Sequence, residues 1–115
     1  MSRIALVQAT FPDAEVAARI GRQMVDERLA VCVNVQAACT SVYRWQGVLE
    51  EAYEIPAVFK TRLDLAETLA ARIAALHPYD LAAVEWWGAD APPAVTAWVT
   101  GETGPDTGPD TGPVS

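Results

Sequence analysis

A pattern of alternating apolar and polar residues extends over residues 30–61. Val31, Val33 and Val35 share one parity, which is the period of a half-buried β-strand. Gln46 and Gly47 divide the stretch, and the glycine supplies the positive φ that a tight hairpin requires. The pattern therefore predicts two long antiparallel strands that turn at this dipeptide.

The length of this hairpin is unusual, because ordinary strands run about 5–6 residues. At about 3.3 Å per residue, a strand of about 15 residues reaches about 50 Å, whereas a domain of about 100 residues has a radius of gyration of about 13 Å. The hairpin must therefore bend, at residues 36–38 and at Pro56, or extend beyond its domain with Tyr43 and Trp45 at the far end. Exposed strands that carry aromatic residues favour pairing with another chain, so we expect a partner to cover them.

The remaining segments predict two long helices, two strands and a short last helix. Two caps stay open for the first helix: Thr10 in a capping box with Asp13, or Asp13 itself as the N-cap. Asp64 with Glu67 has the spacing of a capping box at the second helix. The second helix should end at His77, because a following proline disfavours helical backbone. The predicted elements are strands at residues 3–10 and 81–87 and helices at residues 14–29, 64–77 and 94–99.

The element order, β-α-β-β-α-β with a terminal helix, predicts an α+β fold. Short connections and right-handed crossovers favour the ferredoxin-like sandwich, with one antiparallel sheet and both long helices on one face. The other face then has no cover although it carries apolar residues, which again predicts a partner. We assign this domain to residues 1–100 and expect the Thr-Gly-Pro-Asp repeats of residues 101–115 to form a flexible, low-complexity tail.

The acidic composition argues against several classes of partner. The net charge is −7, or −4 without the three acidic residues of the predicted tail, whereas a nucleic-acid surface requires clustered lysine and arginine. An RNA-binding module of this fold would also need a basic, aromatic sheet face. No apolar run approaches the about 20 residues of a membrane span, and no signal peptide begins the sequence. We therefore expect a cytoplasmic protein that binds neither nucleic acid nor membrane.

The two cysteines, Cys32 and Cys39, fit a reducing compartment. On an unbent strand they lie about 23 Å apart and on opposite faces, whereas a disulfide needs Cα atoms within about 7 Å. We expect no internal disulfide and interpret both as small, buried, apolar side chains.

His77 is the only histidine of the chain and the starting point for any catalytic hypothesis. Asp80, Tyr79 and Cys32 are its candidate neighbours, but the sequence has no nucleophile–base–orienter spacing, no glycine-rich phosphate loop and no Cys-x-x-Cys motif. The sequence therefore predicts no enzyme. Two roles stay open for His77: it bonds the last-turn carbonyls of the helix, or it binds a metal, weakly as a single ligand.

Two roles also stay open for the aromatic residues of the hairpin, Tyr43, Trp45 and Tyr53. They pack within the hairpin and against a neighbouring chain, or they line a pocket between chains.

Three carboxylates lie near the end of the hairpin, Glu50, Glu51 and Glu54. They bind a cation, or they are solvated or paired across an interface with Arg44 or Lys60.

Six short motifs resemble, in order and spacing, those of the CutA family of divalent-cation tolerance proteins. They cover residues 4–99, and six in the right order are strong evidence where each alone is weak. The motifs are Thr10-Phe-Pro-Asp13, Leu29-Ala-Val-Cys-Val-Asn34, Ser41-Val-Tyr-Arg-Trp-Gln-Gly47 with Glu51 and Glu54 downstream, Lys60-Thr61, His77-Pro-Tyr79, and an Ala-x-x-x-Trp-Val run that ends at Val99.

The resemblance implies a ferredoxin-like subunit in a tight homotrimer, similar in architecture to PII signalling proteins, with long hairpins that complete sheets between neighbours. It also implies a role in tolerance of copper and other divalent cations, and no catalytic reaction. Copper-binding interpretations of the family use a cysteine at Ala9 and histidines at Leu76 and His77, of which only His77 is present here. Asp80 keeps one carboxylate of the family's Glu-x-Pro-Glu. We therefore expect no required cofactor and weak Cu(II) binding dominated by His77, because imidazole suits copper.

The sequence thus supports one prediction and one rival. The prediction is a non-enzymatic homotrimer that acts in the tolerance of, or response to, divalent metal ions. The rival is a PII-like signalling sensor that binds a small-molecule effector between subunits. The candidate site residues are His77 for a metal, Tyr43, Trp45, Tyr53 and Glu54 for the interface, and Lys60, Tyr79 and Asp80 for a pocket.

Overall fold

The computed structural model of the chain describes residues 2–105. Its elements follow the predicted order, with the second predicted strand divided in two. No helix in this part of the chain is long and apolar enough to cross a membrane. The elements are β1 Arg3–Phe11, α1 Ala14–Asp26, β2 Cys32–Val35, β3 Cys39–Trp45, β4 Val48–Thr61, a 3₁₀ turn Leu63–Leu65, α2 Ala66–Leu76, β5 Glu85–Asp90 and α3 Pro93–Glu102.

The part of the molecule outside the β3–β4 hairpin, which we call the body, contains a sheet of four antiparallel strands. Their order is β2–β4–β1–β5. The central strand β1 pairs with both β4 and β5, which are distant from it in the chain. β3 pairs with β4 outside this order. This crossing pattern is that of the ferredoxin-like sandwich, and the predicted fold class is confirmed.

The main core lies between one face of the sheet and helices α1 and α2. Alternate residues of β1 enter it, because successive side chains of a strand point to opposite faces. Each fully buried large side chain contributes about 1.5–3 kcal/mol, so the body is stabilised by its own packing. These side chains include Phe11, Ile20, Met24, Phe59, Leu69 and Ile73.

The opposite face of the sheet is partly covered by α3, although the sequence predicted no cover there. Ile4, Val31 and Val99 form a second buried cluster, with Leu6 and Val95 packed against it. Val95 and Val99 lie four residues apart and therefore on the same side of a helix. The prediction was wrong at this end of the sheet, because the short last helix folds back onto it.

The arm of the molecule, residues 39–54, is the hairpin formed by β3 and the facing part of β4. At its tip Gln46 and Gly47 have φ values of 49° and 82°, the backbone of a type I′ turn. The predicted turn is confirmed. With this arm the chain measures 54 × 28 × 22 Å, so it is about twice as long as it is wide.

One of the two predicted bends in the hairpin strands is present. Residues 36–38 separate β2 from β3. β4 instead continues through Pro56, because the carbonyl of Pro56 accepts the N–H of Gln36 at 2.9 Å. β4 is therefore not interrupted at Pro56 and joins the arm to the body as one strand.

Helix α1 begins as predicted, where the Asp13 carboxylate accepts the N–H of Val16 at 2.8 Å. It ends at Asp26, three residues before the predicted end. Arg28 adopts a φ of 62°, and the next two N–H groups turn back to the carbonyl of Met24. Such left-handed closure satisfies the last carbonyls of a helix.

The second helix begins later than predicted. Asp64 does not cap it, because Arg62 donates two hydrogen bonds to the Asp64 carboxylate at 2.9 and 2.6 Å. The chain forms a 3₁₀ turn there, and α2 starts at Ala66. The last strand is also displaced, since β5 begins at Glu85 and continues to Asp90.

Helix α3 extends to Glu102, and the residues that follow it are held against α1. Arg28 donates to the carbonyls of Gly101 and Gly104 at 3.1 and 2.9 Å. The N–H of Gly104 donates in return to the carbonyl of Arg28 at 2.9 Å. Residues 106–115 lie outside the described residues, so the flexible tail stays a prediction.

Candidate functional site

A cavity of about 650 Å³ opens between the arm and the segment that follows α2. Thr10 at the end of β1 forms part of its wall, and Tyr79, Asp80 and Leu81 form the side opposite the arm. The volume lies in the range of about 300–1,000 Å³ that small-molecule sites occupy. The cavity is thus large enough for an organic ligand.

The register of the arm determines which of its residues reach this cavity. Tyr43 lies opposite Glu50, and Trp45 lies opposite Val48. Residues opposite each other share a face of the hairpin. The face that carries Tyr43, Trp45, Glu50 and Glu54 lines the cavity, and we call it the cavity face. The other face, which we call the outer face, carries Val42, Leu49, Glu51 and Tyr53.

Glu54 is the buried carboxylate of the cavity, with 8% of its surface exposed. Its Oε2 atom accepts hydrogen bonds from the Tyr79 hydroxyl at 2.8 Å and from the Thr10 hydroxyl at 3.3 Å. Both donors are neutral, and no salt bridge among residues 2–105 involves Glu54. The site therefore holds a carboxylate that is hydrogen-bonded but not paired with a cation.

Tyr79 is held as a hydrogen-bond donor. Burial raises the pKa of its hydroxyl to about 12, and the hydrogen bond to Glu54 acts in the same direction. A phenol whose pKa lies this far above neutrality stays protonated. Tyr79 can therefore orient the carboxylate but cannot act as a base.

His77 is buried, and its ring lies against that of Tyr79 at a centroid distance of 4.6 Å. Its ring stacks on Phe11 at a centroid distance of 4.9 Å, Nε2 lies 2.7 Å from the carbonyl of Thr10, and Nδ1 accepts the N–H of Tyr79 at 3.2 Å. Because a carbonyl only accepts, Nε2 carries the proton. The ring thus bonds a carbonyl of β1, whereas the backbone N–H of His77 donates to the last-turn carbonyl of Ala74 at 3.4 Å.

Both ring nitrogens of His77 are engaged, which bears on its predicted role as a metal ligand. A metal binds the lone pair of a neutral imidazole nitrogen, and ligation would break one of the two bonds. Among residues 2–105 no three histidine, cysteine, aspartate or glutamate side chains form a group that could hold a metal ion. Metal binding at His77 stays a prediction.

The structure brings together five of the eight residues predicted for the interface, pocket or metal. The cavity face and the segment after α2 supply Tyr43, Trp45, Glu54, Tyr79 and Asp80. The other three, His77, Tyr53 and Lys60, do not line the cavity.

Tyr53 is on the outer face and 81% exposed. Lys60 is six residues from Glu54 along β4, about 20 Å away, and pairs with Leu6 and Cys32 in the body. Lys60 does not line the cavity.

Thr10 and Glu50 are two of the cavity residues that the predictions of site residues omitted. The position of Glu50 could be predicted from the turn, because a two-residue turn at positions 46 and 47 places Glu50 opposite Tyr43. Thr10 could be found only as a member of the Thr-Phe-Pro-Asp motif, since its contact with Glu54 joins residues 44 positions apart.

The two cysteines are free and only partly buried, so the interpretation of both as buried side chains was wrong. Cys32 lies in β2 and Cys39 in β3. Desolvation raises the pKa of the Cys32 thiol, so this side chain stays a neutral thiol near neutral pH.

Comparison with known proteins shows similarity over nearly the whole chain. The family model of the CutA1 divalent ion tolerance protein matches residues 5–102. The chain is 43% identical over 79 residues to the divalent-cation tolerance protein CutA of Pyrococcus horikoshii, which covers 69% of this chain and 76% of that protein. It is 45% identical over 74 residues to the Thermus thermophilus protein of the same name, covering 64% of this chain and 72% of that protein.

The fold is similar to a solved structure of the same description. The crystal structure of divalent ion tolerance protein CutA1 from Ehrlichia chaffeensis superposes with a TM-score of 0.83 at 31% identity, over 90% of this chain and 98% of that chain. The family model, the relatives and the fold agree with the six motifs of the sequence. The chain belongs to the family of CutA1 divalent ion tolerance proteins.

Proposed function

We propose that the chain is the subunit of a non-enzymatic, cytoplasmic homotrimer that acts in the tolerance of, or response to, divalent metal ions, copper among them. The observation that carries the proposal is the match of residues 5–102 to a family described by divalent ion tolerance. A PII-like sensor is not favoured, because the relatives are described by cation tolerance.

The outer face of the arm supports assembly. Leu49 is 67% exposed and Tyr53 81% exposed, and Val42 beside them is also exposed. A row of exposed apolar residues on a projecting hairpin marks a surface for another chain. In a homotrimer each arm would lie against a neighbour and bury this row.

The cavity supports a non-enzymatic role. Its ionisable residues are Glu50, Glu54, Asp80, Tyr43 and Tyr79. None of them is an activated nucleophile beside a base, which hydrolysis or group transfer requires. Glu54 is already engaged by two hydroxyls, as a residue that binds or positions would be.

Copper binding would use His77 and be weak, with no cofactor required. Imidazole suits Cu(II), and ligation would need the Nδ1 lone pair that now accepts the Tyr79 N–H. The loss of that hydrogen bond, worth about 0.5–1.5 kcal/mol, lowers the affinity. Three copies of His77 in a trimer would raise the local ligand concentration.

Light scattering and copper titration test this proposal together. We expect dilute wild-type protein to have the mass of three subunits, to bind Cu(II) weakly by calorimetry, and to improve growth of a copper-sensitive bacterium that expresses it. His77→Gln should lose most of the Cu(II) affinity, while the control Asp90→Asn, on an exposed strand end, should keep it. A monomeric mass contradicts the trimer, and unchanged copper binding in His77→Gln assigns the metal to other residues.

A further inference from the structure

We propose that the cavity between the arm and residues 78–83 binds a small organic cation, an ammonium group carried on an apolar frame. This inference is independent of the proposed function, because it concerns a ligand other than a metal ion. It rests on three features of one chain: the sign of the charges in the cavity, the buried carboxylate and the aromatic lining.

The ionisable lining of the cavity is acidic throughout. Glu50, Glu54 and Asp80 contribute carboxylates, and none of the lining residues is lysine, arginine or histidine. Several like charges around a low-dielectric cleft concentrate the potential of that sign within it. The potential attracts cations and opposes phosphates and other anions, which include nucleotides.

Glu54 supplies the group that a cation would pair with. The residue is more than nine-tenths buried, and both hydrogen bonds it accepts go to Oε2. Among residues 2–105 the one enclosed side-chain atom without a hydrogen-bond partner is Thr61 Oγ1, so Oε1 of Glu54 is not enclosed and can accept a hydrogen bond from a ligand. Burial of a carboxylate is costly unless the charge is paired. An ammonium group at Oε1 would donate a charge-assisted hydrogen bond and offset that cost.

The aromatic side chains supply the remainder of the site. Trp45, Tyr43 and Tyr79 line the cavity, and each keeps between 36% and 42% of its surface exposed. The face of an aromatic ring attracts a cation, most strongly for tryptophan. The same rings bury apolar groups, so an ammonium on a hydrocarbon frame satisfies both parts of the lining.

A bare metal ion fits this cavity less well. Direct coordination requires several oxygen atoms to converge at about 2.0–2.6 Å from one point. The side chains of residues 2–105 provide no such group, and a cavity of about 650 Å³ is far larger than one ion. The cavity therefore suits an organic ligand better than a bare metal ion.

Calorimetry with benzylammonium and benzyl alcohol tests the proposal on the full chain. The two probes have nearly the same shape and differ in charge. We expect benzylammonium to bind at least about tenfold more tightly than the alcohol near neutral pH, as a cation–π contact with a carboxylate nearby would give. Equal binding of the two probes would overturn the proposal.

Matched substitutions on the cavity face and on the outer face test whether benzylammonium binds in the cavity. Glu54→Gln removes the charge but keeps an oxygen for Tyr79, and we expect it to weaken benzylammonium binding at least about tenfold. Glu51→Gln removes the same charge from the outer face and should leave the affinity within about twofold. Equal losses in the two variants would show nonspecific attraction to an acidic protein and overturn the proposal.

A second pair covers the case in which Glu54→Gln does not fold, as circular dichroism would reveal. Tyr43→Leu on the cavity face should weaken benzylammonium binding, whereas Tyr53→Phe on the outer face, which keeps the apolar ring, should not. If benzylammonium does not bind the wild type at concentrations up to about 10 mM, the proposal is overturned. A neighbouring subunit that occupies the cavity would give this result.

Discussion

The body and the arm use the same residue types in opposite ways. In the body, Phe59 and Val7 are fully buried against the two long helices. On the arm, Leu49 and Tyr53 are more than half exposed, although they belong to the same strand, β4, as Phe59. A strand that is buried at one end and exposed at the other shows that the subunit alone encloses only half of it.

This contrast separates two sources of stability. The body contains enough buried apolar surface to fold by itself. The arm has the hydrogen bonds of a two-stranded ladder and little packing, and such a hairpin is marginal alone in water. Its order must then be supported by something that the single chain does not supply, such as neighbouring subunits on the outer face.

The largest expected effect is in the body. Phe59→Ala removes a fully buried ring that lies 6.4 Å from the ring of Phe11. We expect it to lower the free energy of unfolding by about 3–5 kcal/mol per subunit, as measured by denaturant titration. A loss below about 1 kcal/mol would show that the body does not depend on its core as argued.

A smaller effect, on assembly rather than folding, is expected in the arm. Leu49→Ser should shift dissociation of the proposed trimer to a protein concentration at least about tenfold higher, because the leucine is 67% exposed in the single chain and would be buried only by a neighbour. The control Leu63→Ser, at a half-exposed leucine of the body, should leave the mass unchanged on dilution. Equal behaviour of the two variants in light scattering would remove the distinction between arm and body.

Much of this contrast could be predicted from the sequence, because it depends on local patterns. Gly47 indicated the turn, and the turn determines the register that separates Tyr43 from Tyr53. The contacts that escaped prediction join distant positions: the Thr10 hydroxyl with Glu54, the His77 ring with the Thr10 carbonyl, and α3 with the sheet. Periodicity describes which face of an element is apolar, but not which distant group will satisfy a buried nitrogen or oxygen.

The smallest expected effect is an electrostatic one on the surface of the body. Arg72 donates two hydrogen bonds to Glu27 at 3.0 and 2.9 Å, and these bonds lower the pKa of the Glu27 carboxyl from 4.5 to about 2. A carboxyl whose pKa is lower in the folded state stabilises the fold above its unfolded pKa and loses that contribution as the pH falls. The contribution should therefore be complete above pH 4.5 and disappear towards pH 2.

Thermal melting of the wild type and Arg72→Gln across this pH range measures that effect. We expect the difference in melting temperature between them to shrink as the pH falls from 4.5 to 2. The variant Glu27→Gln should behave in the same way, because it removes the other partner of the same pair. A difference that does not change with pH would mean that Arg72 acts through packing alone.

The type I′ turn at Gln46 and Gly47 has a consequence for the order in which the chain folds. The arm joins residues that are near in sequence, so its closure costs little chain entropy and can occur within about 1–10 μs. The pairing of β1 with β5 joins residues at opposite ends of the chain and must wait for a slower, long-range search. We therefore expect the arm to form transiently before the sandwich closes, so that the surface for neighbouring chains exists while the subunit core is still open.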